Sequence, residues 1–285
     1  MKKYNLIIVG SKSFIVKSFI KQIDINKFNI INLRRPKYDL LNKNTIKKFL
    51  FSLNNNKNII FFAAAIAPCK NYDEFYKNIK MLDNFCYFFN DTNIEHFYYL
   101  SSDAVYSDSK KRINEKSKKE PSNMHGLMHL VREKIIFSRF PKKSNFLRPT
   151  LVYGYGDKHN GYGPNLFINS LKNNKNIKLF GKGEELRDHI YNKDLGILIS
   201  MIINNNIKED FNLVSGNEKT FLSLATIINK SYNLDKKVIF IDRQQPMPHN
   251  GLRIFDNSKI FKFFPKFKFS RIDSSIRDYI SNIKK

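Results

Sequence analysis

The sequence predicts an α/β fold: a doubly wound parallel sheet followed by a smaller α/β C-terminal lobe. Two observations carry this. Short apolar runs alternate with helix-length amphipathic segments through the first 150 residues, a spacing that implies right-handed crossovers and parallel strands. After about Thr150 the alternation gives way to a glycine-dense stretch, with Gly154, Gly156, Gly161, Gly163, Gly181 and Gly183 close together. Glycine at that density marks loops that turn sharply or approach a ligand closely.

The expected strands are Tyr4–Val9, Phe28–Leu33, 58–65, 96–100 and 145–147. Between them lie expected helices at 14–22, 44–53, 72–89 and 125–140. The stretches 54–58 and 172–176 are polar loop material, and the charged run 110–120 is a solvated loop before a helix. Beyond the glycine-rich region short helices and strands mix, ending in a Lys/Phe-rich segment and a final helix near 274–284. No internal repeat is present. The lobes are expected to divide as 1–150 and 151–285, without a flexible linker and with later segments open to recruitment by the first.

Composition narrows the function classes. The chain is 42% hydrophobic, enough for a sizeable core, yet no stretch approaches the roughly 20 apolar residues of a membrane helix. The apolar run at 6–9 is too short for a signal-peptide core, so the expectation is a cytoplasmic protein without membrane insertion. Only two cysteines occur, Cys69 and Cys86, which excludes a disulfide framework and a zinc ribbon and points to inert, buried thiols. The net charge of +25 is spread among asparagine and isoleucine rather than gathered in a basic arm. It therefore reads as a solvated surface that draws anionic ligands, not as a nucleic-acid interface.

The first strand enters a turn at Gly10, and the helix after it would offer free N–H groups and a positive dipole end to a phosphate. The spacing Gly10-x-x-Ser13-x-x-Val16, with Phe14 and Ile15 inside it, keeps only the first glycine of the dinucleotide fingerprint. The second strand ends in Arg34 and Arg35, where an NAD enzyme usually carries an acid; two arginines suit a 2′-phosphate and favour NADP over NAD. Asp39 and Leu40 follow, where an adenine amino group would be met.

From here the chain resembles the NAD-dependent epimerase/dehydratase family of extended short-chain dehydrogenases. Residues 59–65 (Ile-Ile-Phe-Phe-Ala-Ala-Ala) look like the family strand whose alanines line the cofactor cleft, here Ala63, Ala64 and Ala65. Asn78 sits at the family's helix-bending asparagine, and 100–106 read Leu-Ser-Ser-Asp-Ala-Val-Tyr. Glu115, Pro121 and Ser122 then precede His125-Gly126-Leu127-Met128-His129 and Glu133. Residues 148–154 (Arg-Pro-Thr-Leu-Val-Tyr-Gly) match the sixth strand and its exit. The segment 179–194, with Arg187-Asp188-His189-Ile190-Tyr191 before Asp194, looks like the sugar-nucleotide segment, and 211–216 and 256–259 fit later landmarks. The resemblance implies a Rossmann domain, an NAD(P) cofactor and a nucleotide-sugar substrate.

The family's chemistry rests on a Ser/Thr and a Tyr-x-x-x-Lys helix. Ser102 aligns with the Ser/Thr, with Asp103 beside it, but His125 stands at the tyrosine and His129 at the lysine. The i, i+4 spacing puts both rings on one helix face, and a histidine serves as general base near neutral pH. The resemblance implies Ser102 on the reacting oxygen, His125 moving the proton and His129 on the cofactor ribose. A bland alternative is a degenerate member that only binds a dinucleotide; a metal bridging the two rings lacks an evident third ligand. Ala104 cannot do proton chemistry, which points to epimerisation or redox rather than 4,6-dehydration. For substrate the resemblance implies Arg187 on the diphosphate, its alternative being an ion pair with Asp188. Asn165 is expected at the diphosphate or base edge, with Arg243 and Arg253 near a second phosphate position. Leu151 replaces a frequent asparagine. Family members often pair through two helices of the first lobe, which here would be 72–89 and 125–140; the resemblance thus leaves a homodimer open as a partner state.

Overall fold

The computed structural model describes residues 4–50, 53, 57–89, 94–232 and 238–284, with nothing said of the Lys284 side chain; residues 54–56 of the expected polar loop lie outside that set. The order runs β1 (Tyr4–Val9), α1 (Phe14–Ile20), β2 (Phe28–Leu33), α2 (Lys43–Leu50), β3 (Lys57–Phe62), α3 (Tyr72–Tyr87), β4 (Ile94–Leu100), a 3-10 turn (Asp103–Val105), α4 (Met124–Arg139) and β5 (Ser144–Pro149). It continues through β6 (Leu151–Tyr153), α5 (Pro164–Lys172), β7 (Ile177–Phe180), β8 (Leu186–Arg187), β9 (His189–Tyr191), α6 (Asn192–Asn204) and β10 (Phe211–Leu213). The remainder is β11 (Lys219–Thr220), α7 (Phe221–Tyr232), β12 (Val238–Ile241), β13 (Leu252–Arg253), α8 (Ser258–Phe263) and α9 (Ile272–Lys284). No described helix is long and apolar enough to cross a membrane.

Two compact units result. The first is Met1–Ser107, Ser117–Pro149 and Gly196–Phe211; the second is Asp108–Lys116, Thr150–Leu195 and Asn212–Lys285. The first holds the doubly wound sheet, ordered β10-β5-β4-β3-β1-β2 with β10 at the edge where the chain leaves that unit. β1 pairs in parallel with β2 and β3, β3 with β4, and β4 with β5. Residues 6–9 of β1 are all buried because helices cover both faces of a parallel sheet. Ile7 and Val9 face a core shared with Ile46, Phe62, Phe85 and Phe97, while Phe19 of α1 packs on Phe61 at 4.7 Å. Buried amides need partners, and Asn5 meets Asn58 and Asn29 across three strands, each at 3.0 Å.

The strand expected at 58–65 ends at Phe62, and the three alanines are irregular backbone instead. Their place is informative. The chain runs from β1 outward to β2 and returns past β1 to β3, so the sheet's switch point lies between β1 and β3. Ligands of such sheets bind outside the carboxyl ends of the strands at that point. Gly10 follows β1 there, and Ala63 follows β3.

In the second unit β6 pairs with β9, β7 with β12, and β8 lies between β11 and β13. Phe167, Ile168 and Leu171 of α5, Phe221 and Leu224 of α7, and Ile276 and Ile280 of α9 form its core with Leu179.

Candidate active site

At the end of β1, Gly10 adopts φ +93°, and a Cβ there would lie 2.8 Å from Ala64 N. Only glycine admits both that conformation and the close approach of the β3 exit. Ser13 is the N-cap of α1, its carbonyl accepting from Lys17 N at 3.0 Å while its own N–H donates to Gly10 O at 3.1 Å, and Phe14 and Ile15 begin the helix half-buried. Val16, at the position of the third fingerprint glycine, is buried in the core. A separate tight contact lies where α6 crosses α1: a Cβ on Gly196 would lie 2.7 Å from Ser18 C. Ser11 Oγ is buried and has no hydrogen-bond partner among the described residues. Arg34 and Arg35 are exposed just beyond β2, whereas Asp39 accepts from Leu41 N at 3.0 Å and so shapes its own turn. Leu40 is buried, its carbonyl held by Asn84 at 2.9 Å.

Asn78 is fully buried in α3. Its amide accepts from Ile66 N and donates to Ile66 O and Glu74 O, all at 2.9 Å, which ties the alanine segment to the helix.

Ser102 caps the 3-10 turn after β4: its Oγ accepts from Ala104 N at 3.1 Å and donates to Asp103 Oδ1 at 3.3 Å. Asn123 caps α4 by accepting from Gly126 N at 2.9 Å. Gly126 lets α4 start against that turn, because a Cβ there would lie 2.1 Å from Ala104 O. The amino-acid order alone assigns this glycine no role. Gly126→Ala is expected to push α4 off the Ser102 turn and to destabilise the fold by roughly 3 kcal/mol. A shift in denaturant midpoint checks this; a change under about 0.5 kcal/mol rules out the tight contact.

His125 and His129 meet edge-to-face on one side of α4, ring centres 4.7 Å apart. The Cys69 amide donates to His125 Nδ1 at 3.3 Å. His129 is buried and lies 2.6 Å through Nδ1 from the Tyr99 hydroxyl. Burial, with His125 and Arg132 nearby, holds its pKa well below the ordinary imidazole value. Arg132 is fully buried. Its Nη1 donates to Ala64 O at 2.8 Å, and its Nε and Nη2 donate to Asn78 O. Neither Tyr99 nor Arg132 stood out in the sequence, although Arg132 lies three residues past His129 and so on the same helix face. Both thiols are buried, and burial pushes Cys86 up to about 12.

Behind this face, Arg148 of β5 forks onto Glu133 of α4 at 2.7 and 2.8 Å, and Ser101 donates to the same carboxylate at 2.7 Å. The landmark residues Glu133 and Arg148 thus lock α4 to the sheet.

The second unit gathers arginines. Arg253 pairs in register with Arg187 across β13 and β8. Arg187 binds Glu185 and Pro248 O, each at 2.8 Å, rather than Asp188, whose carboxylate holds Ser215 N and Gly216 N. Glu185 also reaches Arg243 at 2.5 Å, and Arg253 meets Asp108 at 3.5 Å. The Asn165 amide is committed internally, to Gly154 N, Val152 O and Asp157.

Known proteins share this organisation. An ADP-L-glycero-D-manno-heptose-6-epimerase from Fusobacterium nucleatum is 28% identical, over 88% of this chain and 86% of its own. A dTDP-4-dehydro-6-deoxyglucose reductase from Escherichia coli is 27% identical, over 88% of each chain. Among solved structures, a UDP-N-acetylglucosamine 4-epimerase from Methanobrevibacter ruminantium, in complex with UDP-N-acetylmuramic acid, superposes with a TM-score of 0.83 at 21% identity, covering 100% of this chain and 99% of that one. Residues 6–213 match the model of the NAD dependent epimerase/dehydratase family, and with the switch-point sheet and the Ser102 turn in place the chain belongs to that family.

Proposed function

We propose that this protein is a cytoplasmic NAD(P)-dependent epimerase or reductase of a nucleotide-activated sugar, serving surface-polysaccharide synthesis. The observation that carries the reading is the convergence, in the first unit, of the Ser102 turn with the α4 face bearing His125 and His129. The relatives' names, two epimerases and a reductase, support the same class.

The residues present fit a dinucleotide. Gly10 leaves backbone where a side chain would intrude, and the orphaned Ser11 hydroxyl offers a buried donor beside it. When bound, the dinucleotide supplies the hydride acceptor and donor. Ser102 polarises the reacting sugar oxygen. His125 exchanges the proton at that oxygen. His129 holds the ribose side, Asp103 orients the Ser102 hydroxyl, and Asn78 keeps Ala63, Ala64 and Ala65 in place. Arg187, Arg243 and Arg253 form the cation set for a sugar diphosphate. Arg34 and Arg35, exposed at the β2 end, favour NADP over NAD.

Copies of the chain pair through α3 and α4, whose solvent faces carry exposed Tyr72, Tyr76, Leu127 and Phe137.

The deciding experiment is titration with NADPH and NADH followed by cofactor fluorescence. Binding of NADPH about tenfold tighter than NADH is expected, with the preference lost in Arg34→Ser/Arg35→Ser. No binding of either by folded protein defeats the reading. The neutral state of His129, which removes the family's cation from that position, favours a second reading: a dinucleotide-binding module without turnover. Cofactor binding with no turnover of any nucleotide sugar selects it.

A further inference from the structure

We propose that Arg132, Tyr99 and His129 together do the work of the lysine that the Tyr-x-x-x-Lys pattern would place at position 129: Arg132 supplies the charge, Tyr99 transmits it, and His129 presents one fixed N–H donor to a diol. This deepens the functional reading above and rests on it for the identity of the diol, the cofactor ribose.

Arg132 can only donate. Its fork closes on two backbone carbonyls, Asn78 O and Ala64 O, which orient the guanidinium without cancelling its charge. Its charge acts on the Tyr99 hydroxyl. That oxygen sits in β4, almost wholly buried, so its own hydrogen needs an acceptor. His129 Nδ1, 2.6 Å away, is that acceptor. Burial first, with the Arg132 and Glu133 charges as smaller influences, puts the Tyr99 hydroxyl at about 12, so it keeps its proton. His129 is held neutral by burial, by His125 and by Arg132. A neutral imidazole that accepts at Nδ1 carries its hydrogen on Nε2. The hydrogens therefore point one way, from Tyr99 O–H to His129 Nε2–H, with the Arg132 charge acting on the pair.

Arg132 lies at i+3 from His129, so the charge has moved one helical turn deeper while the donor stayed in place. The outcome is a donor without a titrating cation at the surface of the site. Its surroundings are Tyr99 from β4, His125, Arg132 and Glu133 from α4, and Cys69 from the segment before α3. Tyr99 and Arg132 are positioning residues on this account, since they act through His129.

Imidazole ¹⁵N NMR on the full chain tests this. His129, assigned by its loss in His129→Gln, is expected as the Nε2–H tautomer without titration from about pH 5.5 to about pH 8.5. Tyr99→Phe is expected to release Nδ1, giving mixed tautomers, and to weaken NADPH binding about tenfold. A wild-type His129 that carries its hydrogen on Nδ1, or that titrates near 6.5, overturns the proposal, as does a folded Tyr99→Phe with unchanged tautomer and affinity. The wild-type spectrum decides alone where the variant does not fold. A wild-type protein with the expected tautomer that binds neither NADPH nor NADH instead removes the ribose and the functional reading with it.

Discussion

His125→Ala is expected to lower nucleotide-sugar turnover by about 10²–10⁴-fold while cofactor affinity stays near the wild-type value. The ring lies near the start of α4, half-exposed, where Nδ1 accepts from the Cys69 amide and the ring meets the edge of His129. Water can take the Cys69 N–H when the ring is removed. The helix keeps its cap, since Asn123 binds Gly126 N rather than residue 125. The loss therefore falls on proton exchange at the sugar oxygen. His129, the residue assigned to the ribose, keeps its Tyr99 bond. Initial rates at saturating substrate, beside a fluorescence titration of the cofactor, separate the two. Unchanged turnover would remove His125 from the chemistry, and a parallel collapse of cofactor affinity would make its role structural.

Glu133→Ala is expected to destabilise the protein by about 4 kcal/mol. Glu133 and Arg148 are both nearly solvent-free, with side chains 4% and 1% exposed. Burial alone would favour the neutral guanidine; the Glu133 hydrogen bonds and charge more than offset this and hold the Arg148 pKa above its usual range. Without Glu133 the guanidinium stays buried with Asp210 at 3.0 Å, which is a third exposed, and the Ser101 hydroxyl loses its acceptor. An uncompensated buried charge is worse than an apolar replacement of the whole pair. Glu133→Leu/Arg148→Met is therefore expected to cost less than the single change, a non-additivity that denaturant midpoints measure directly. Equal or greater loss in the double variant would show that packing, not charge, dominates there.

The parts of this protein that local physics controls were legible in the amino-acid order. Residues 6–9 read as a strand because four successive apolar side chains suit a sheet covered on both faces, and that is how β1 sits. The i, i+4 spacing alone put His125 and His129 on one face. Gly10 announced a turn that backbone geometry then required, at φ +93°.

What the order of residues left undecided depends on neighbours distant in the chain. Val16 stands where the dinucleotide motif has a glycine, and the fold buries it wholly in the core. Arg187 was expected on a diphosphate, with an ion pair to its neighbour Asp188 as the alternative; alternation along the strand turns those two apart, and Glu185, two residues back on the same side, meets the arginine. Asn165 looked available for a ligand until the fold brought Gly154, Val152 and Asp157 around its amide. The sequence by itself determined the sheet class, the order of the motifs and the exchange of Tyr and Lys for two histidines, because periodicity and turn chemistry act over a few residues. Only the tertiary structure decided the surroundings of those histidines. That depends on burial and on which donors face each ring nitrogen, and the donors come from β4 and from the segment before α3.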